Sequence, residues 1–241
     1  MKNFVGENLY QKISQELRSF ATKERAIVMR RFFRTAKGGY GEGDEFIGAS
    51  VPDTHSVAKK YSGISLEIVQ ELLDSKIHEE RLLSLLILVE KFRNLDQKGK
   101  KEIFDFYISN SQKINNWDLV DLSADKIAGE YLYGKNTKTL QDFAISQNLW
   151  QRRIAIISTF NFIKKGKFAL AFKIAKILLK DEHDLIHKAV GWMLREIGKR
   201  DIAAEEGFLK KHYKKMPRTM LRYAIEKFPA KKRLSYLKGQ I

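Results

Sequence analysis

The sequence predicts an all-α chain built from stacked helix pairs. Three observations carry this. Apolar residues recur at helical spacing through most of the 241 residues, and no run alternates as a strand does. Only three prolines occur, Pro52, Pro217 and Pro229, so long stretches lack helix breakers. Beyond Pro52 a weak repeat returns in steps of about 33 to 39 residues, the length of a two-helix unit. One such pair cannot bury its apolar face alone, so neighbours must stack around a continuous core as an α-solenoid. No composition shift or linker divides the chain. It is expected to be a single domain, 1–241, with N-terminal helices and a Gly-rich loop over 1–52 and stacked helix pairs over 53–241.

Taken in order, Leu9, Ile13 and Leu17 mark a first amphipathic helix, and Ile27, Phe32 and Phe33 a second. From Thr35 to Ser50 the chain holds Gly38, Gly39, Gly41, Gly43 and Gly48 and reads as a loop. Its Gly39-Tyr40-Gly41-Glu42-Gly43 run is a poor phosphate loop, because no strand precedes it and no Gly-Lys-Ser/Thr follows. Pro52 is placed to open the next helix. The repeat then shows in His78-Glu79-Glu80-Arg81, Trp117-Asp118-Leu119-Val120, Trp150-Gln151-Arg152-Arg153, Leu185-Ile186-His187-Lys188 and Thr219-Met220-Leu221-Arg222. The fourth positions are Arg81, Val120, Arg153, Lys188 and Arg222. Equivalent positions of a solenoid line one surface, so this column of cations is spaced to follow a phosphate backbone.

The charge balance points the same way. Formal net charge is +16 and the isoelectric point is near 9.8, which favours a polyanionic partner. Further cations cluster at Lys98-Gly99-Lys100-Lys101, Lys164-Lys165, Lys199-Arg200, Lys210-Lys211, Lys214-Lys215, Arg218 and Lys231-Lys232-Arg233. Many lie where helices end, and there they also offset the helix dipole. With no cysteine, the chain has no disulfide, thiolate metal site or Cys nucleophile. Neither a secretory signal core nor an apolar run of about 20 residues is present, so a cytoplasmic protein without a membrane partner is expected.

Within this basic chain, Ile114-Asn115-Asn116-Trp117-Asp118-Leu119-Val120-Asp121 is a local acidic exception. On a helix Trp117 and Asp121 share a face, an aromatic plane beside a carboxylate, which suits a cation. Trp150 reads as a packing residue between helices. Trp192 follows Gly191, where a missing side chain permits close approach to the backbone. His183 and His187 stand at i and i+4, but Asp184 replaces the glutamate of the metalloprotease pattern and no third ligand is evident. No metal or cofactor is called for.

Together these pieces resemble the AlkD-like DNA alkylation-repair glycosylases, which are HEAT-like helical-repeat proteins. The resemblance runs from Arg30-Arg31-Phe32-Phe33 to Tyr223-Ala224-Ile225-Glu226. Its most specific segments are Trp117–Asp121, Trp150–Ile156 and Lys188–Glu196, with the Tyr40-Gly41 region, His78–Arg81 and Met216-Pro217-Arg218 also fitting. It implies a superhelix with a concave basic cleft, and a monomeric, monofunctional DNA glycosylase in base excision repair. The substrate implied is a cationic N3- or N7-alkylated purine in duplex DNA, removed without flipping the base into a pocket, and the enzyme is nucleoid-associated when bound. The resemblance places the acting carboxylate at Asp121, the tryptophans that frame the lesion's sugar and phosphate at Trp117 and Trp192, and a cleft arginine at Arg153, with Arg152 adjacent. Arg81, Arg152, Lys188, Arg218 and Arg222 are the expected DNA contacts. Some relatives have lost the catalytic residues and bind unusual DNA structures. A non-catalytic binder of damaged or branched DNA is therefore the alternative, and the retained Trp–Asp pair favours catalysis.

Overall fold

The computed structural model describes residues 3–241, with side chains from residue 9 onward. Among the described residues there are fourteen α-helices and no strand. They are α1 (Asn3–Ser19), α2 (Lys23–Phe32), α3 (Val51–Lys60), α4 (Leu66–Leu73), α5 (His78–Asn94), α6 (Gln97–Ser109) and α7 (Trp117–Ser123), followed by α8 (Lys138–Ala144), α9 (Leu149–Lys164), α10 (Ala169–Ile177), α11 (Asp184–Gly198), α12 (Ile202–His212), α13 (Arg218–Ala224) and α14 (Ala230–Lys238).

Local chemistry sets the helix starts. Thr22, Ser50, Asp96, Asn148 and Asp201 each accept a backbone N–H from the first turn they precede. Pro52 lies in the first turn of α3, and Pro217 and Pro229 immediately precede α13 and α14. A fixed φ and a missing N–H are harmless at these positions. Gly48 in the Gly-rich loop has φ +88°, and a Cβ there would sit 2.2 Å from the Thr22 carbonyl oxygen. Only glycine lets the loop pass the start of α2 so closely.

The chain forms two compact units, Met1–Ser123 and Ala124–Ile241. In the first, α5 packs against α3, α4 and α7 and is buried continuously from His78 to Val89. A helix buried all round shows no amphipathic stripe. In the second, α9 packs against α8, α10 and α11, and α11 against α12 and α13. Each large side chain in these cores carries real stability; truncating Leu86 to Ala should cost about 2–5 kcal/mol. A π-helical turn, Asp125–Gly129, opens the second unit, its Gly129 N–H reaching the Ala124 carbonyl at 2.9 Å. A Cβ on Gly129 would lie 2.3 Å from the Ser158 carbonyl of α9, so the turn is a fit to that helix.

The two units differ in charge. The first holds 19 Lys and Arg against 18 Asp and Glu, a net +1; the second holds 26 against 11, a net +15. Nearly the whole positive charge therefore belongs to Ala124–Ile241.

A recurring side-chain brace fixes the repeat register. The Ser75 hydroxyl accepts the Ile77 N–H and donates to Glu80, while Arg81 donates to the Ser75 and Lys76 carbonyls at 3.1 and 3.3 Å. In the second unit the Ser146 hydroxyl accepts the Asn148 N–H and donates to Gln151, and Arg152 donates to the Ser146 and Gln147 carbonyls, both at 2.9 Å. One repeat further, Asp181 accepts the His183 N–H and its carbonyl meets the His187 ring. The structurally equivalent positions are thus Arg81, Arg152 and His187. This differs by one residue from the alignment on Arg153 and Lys188, because the brace and not the apolar pattern sets the register. The same step of 35 or 36 residues places Trp117 between Arg81 and Arg152, and Arg222 after His187.

Candidate functional site

Helix α7 presents its residues unequally. Asp118, Leu119 and Val120 are buried, whereas Trp117 and Asp121, one turn apart, are half-buried. The Trp117–Asp121 face expected from the spacing is therefore the face that reaches the surface of the first unit.

A buried polar network holds this helix. The Asn116 side chain accepts the Trp117 N–H at 2.8 Å and donates to Asp44 at 3.1 Å. Asp118 accepts the Leu119 N–H and pairs with His78 Nε2 at 2.7 Å. His78 Nδ1 meets Asp44 at 3.3 Å, and Arg81 closes the set on Asp44 at 2.7 Å. Two carboxylates and two cations balance. Burial opposes charge on His78, but the Asp118 carboxylate more than offsets it; with Asp44 bonded and Arg81 opposing, the ring is raised to about 9. Burial likewise pushes Asp44 up, while bonding to His78 and the charge of Arg81 prevail and leave its carboxyl below the usual range.

The same helix start is braced by aromatic rings. The Trp117 indole stacks on Phe33 at 5.2 Å and 13°, and Phe32 meets it edge-on at 5.6 Å. Phe33 stacks on Phe46 at 4.9 Å, and Phe46 on His78 at 4.6 Å. One side of the indole is fixed by this column, so its orientation is set before any ligand arrives.

α5 begins with four consecutive buried ionisable residues, each tying in a different segment. Besides His78 and Arg81, Glu79 accepts the Ile47 and Gly48 N–H groups of the Gly-rich loop. Glu80 accepts from Ser14 and Tyr10 of α1 and from Ser75. Arg81, expected as a DNA contact, has its guanidinium engaged inside the unit and 7% of its side chain exposed.

In the second unit Arg153 is buried on α9 and donates to the Leu185 carbonyl at the start of α11. Arg152 is engaged by Asp181 at 2.6 Å and by its two carbonyls. Trp192 is half-buried on α11, its indole N–H donating to Glu196 at 3.3 Å and its ring 6.0 Å from Phe160. Burial raises the Glu196 carboxyl, but Lys199 and Arg200 outweigh it and hold it below the ordinary value. Gly191 admits helix α13: a Cβ would sit 2.5 Å from the Met220 carbonyl. The close approach expected there is made by the protein's own backbone. Trp150 is buried, as its packing role required. Lys188 pairs with Asp184 at 2.6 Å, and Arg218 donates to the Leu237 carbonyl. Arg222 is exposed with no partner among the described residues. The His183 ring caps α11 by accepting the Leu185 N–H, and His187 meets a carbonyl, so both rings are committed to backbone.

Sequence reasoning missed Asp44, His78 and Asp118 as the support of α7. The available signal was the run His78–Arg81 ahead of an unbroken apolar stretch, since four adjacent ionisable residues on a fully buried helix need internal partners.

Comparison with known proteins agrees with this architecture. Residues 13–228 match the profile of the family described as DNA alkylation repair enzyme. A predicted DNA alkylation repair enzyme from Enterococcus faecalis superposes with a TM-score of 0.68 at 18% identity, covering 87% of this chain and 97% of that one. AlkD2 from Streptococcus mutans gives 0.56 at 19%, covering 86% and 99%. The smu.31 protein of Streptococcus mutans UA159 gives 0.52 at 19%, covering 74% and 92%. No curated protein matches. At such identities the solved structures establish the helical-repeat fold, and the profile, running from within α1 to just beyond α13, establishes kinship: the chain belongs to the DNA alkylation repair enzyme family.

Proposed function

We propose that the protein is a monofunctional DNA glycosylase that hydrolyses the N-glycosidic bond of cationic N3- and N7-alkylated purines in duplex DNA. The observation that carries this reading is the α7 face, where Trp117 and Asp121 reach the surface together while Asp118 between them is locked to His78. An N7-alkylguanine already bears positive charge, so its bond to the sugar is weakened and the base leaves without a proton donor. Glycosidases of neutral sugars need an acid as well as a second carboxylate. Here one carboxylate suffices: Asp121 stabilises the oxocarbenium-like sugar and positions water. The faces of Trp117 and Trp192 each favour a cationic nucleotide by roughly 0.5–2 kcal/mol. Arg153, buried and bonded to the Leu185 carbonyl, is assigned to holding the start of α11 rather than to a phosphate. Lys188, Arg218 and Arg222 are assigned to the flanking backbone; Arg81 and Arg152, engaged internally, act by holding their helix starts.

The test is single-turnover release of 7-methylguanine from methylated duplex DNA in buffer containing EDTA. Release that persists in EDTA and follows Asp121 supports the reading. Tight binding without release from several cationic lesions overturns it in favour of a non-catalytic binder of damaged or branched DNA. Activity restored only by added zinc overturns the mechanism.

A further inference from the structure

A second site lies within Ala124–Ile241 on residues to which the proposed reaction gives no role. Helices α10 and α12 flank a groove of about 430 Å³. From α10 come Ala169, Phe172, Lys173 and Lys176; from α12 come Ala204, Gly207, Phe208, Lys211 and His212. The α10 set runs at i, i+3, i+4 and i+7, and the α12 set repeats it 35 residues on and adds His212 at i+8, so equivalent faces of two successive repeats build the groove. Phe172 and Phe208 stack at 5.2 Å and 10° to form its floor, with His212 against Phe208 at 4.6 Å.

The rim is cationic. No carboxylate lines the groove, and Lys173, Lys176 and Lys211 make no ion pair among the described residues. Burial and the charges of Lys176, Lys215 and Lys211 hold the His212 ring below its ordinary value, which shows the cations converging there. Lysines in a last turn are expected from the helix dipole, but Lys173 lies in the middle of α10. A further feature is Gly207, in the interior of α12. A Cβ there would meet nothing within 4 Å. Glycine at such a position costs helix stability with no packing reason inside the chain, and here it keeps the groove open.

We propose that this groove binds an acidic peptide segment of a partner protein, anchored by one large apolar side chain on the Phe172–Phe208 floor. Charge complementarity selects the flanking acids, and the groove is large enough to admit a leucine- or phenylalanine-sized anchor together with its neighbouring backbone. The apolar floor argues against a nucleic-acid backbone, whose sugars and phosphates would gain no hydrogen bond there.

The experiment is fluorescence anisotropy with a short fluorescein-labelled peptide of aspartates ending in Leu-Phe. A second peptide has equal charge but Ser-Ser in their place. Wild-type protein should prefer the Leu-Phe peptide by about tenfold or more, the worth of one buried apolar side chain. Gly207→Leu fills the groove from open space and should remove that preference, with a melting temperature no lower than that of the wild type and an unchanged duplex-DNA affinity. Lys173→Glu with Lys211→Glu alters only surface charge and should weaken both peptides by about tenfold or more, as loss of two ionic contacts implies. Equal binding of the two peptides to wild-type protein would mean non-specific capture by a highly basic unit and would sink the proposal. So would a Gly207→Leu protein that loses duplex-DNA affinity while keeping its peptide preference.

Discussion

Asp121 and Trp117 lie one turn apart on a helix of seven residues, both half-buried, and Trp117 also stacks on the core residue Phe33, so circular dichroism must accompany each variant. Asp121→Asn preserves size and removes the negative charge. It should keep the fold and duplex affinity while slowing single-turnover release of 7-methylguanine by roughly 10²–10³, the usual cost of losing one well-placed electrostatic group. Trp117→Ala should also slow release, with some loss of lesion affinity. A folded Asp121→Asn protein as fast as wild type would make the residue structural. This pair was legible in the sequence because both members belong to one helix, whose geometry is known before any tertiary contact is. Asp44 was not legible, for its partner Asn116 lies 72 residues away, and nothing in a Gly-rich loop announces that separation. Arg153 against Arg152 was likewise beyond reach. Only the Ser146 brace shows which of two adjacent arginines points back along the chain.

At the scale of elements, helix α5 governs the first unit through its buried start. The His78 ring, raised from 6.5 to about 9, stabilises the fold while protonated. Because the folded value exceeds the unfolded one, this contribution is complete below about pH 6.5 and is lost as pH climbs through 9. Its full size is roughly 3 kcal/mol. Urea denaturation at pH 6, 7.5 and 9.5 should therefore show wild-type stability falling with pH, and Asp118→Asn should flatten that fall. Parallel pH curves for the two proteins would overturn the assignment. Glu205, pushed up to about 8 by burial and by Glu206, titrates with the same sign in the second unit and cancels from the comparison. Helix boundaries marked by proline and by Ser, Thr, Asp or Asn caps could be read directly, since capping is local chemistry. The π turn Asp125–Gly129 could not, because the helix it fits, α9 with its Ser158 carbonyl close against Gly129, is distant in sequence.

For the whole molecule, the basic composition was visible at once, but its confinement to one unit required knowing where the units divide. With a net +15 in Ala124–Ile241, sequence-tolerant duplex binding should weaken steeply with salt. Each phosphate contact adds about −0.9 to the slope of log K against log salt, so Arg222→Ala should lower the slope by up to about one. A flat salt response would defeat the nucleic-acid reading. The first unit is nearly neutral overall, and its order depends instead on pairs that close across long stretches of chain. The start of α5 is tied to Ser14, Asp44, Gly48 and Asp118. That has a consequence during synthesis. His78, at the start of α5, leaves the ribosome 40 residues before Asp118, and until then it lacks its closest counter-charge. Until Asp118 arrives the ring has only Asp44, which it shares with Arg81, and burial favours a neutral imidazole whose Nε2 has no partner; an unpartnered buried polar group is unfavourable, so consolidation of α3, α4 and α5 should wait for Asp118. Nascent chains stalled with Asp118 still inside the exit tunnel should be cut readily by protease within residues 51–94, and chains stalled once it has emerged should resist. Equal resistance at both lengths would show that α3, α4 and α5 hold together without the pair, and that folding here keeps pace with translation.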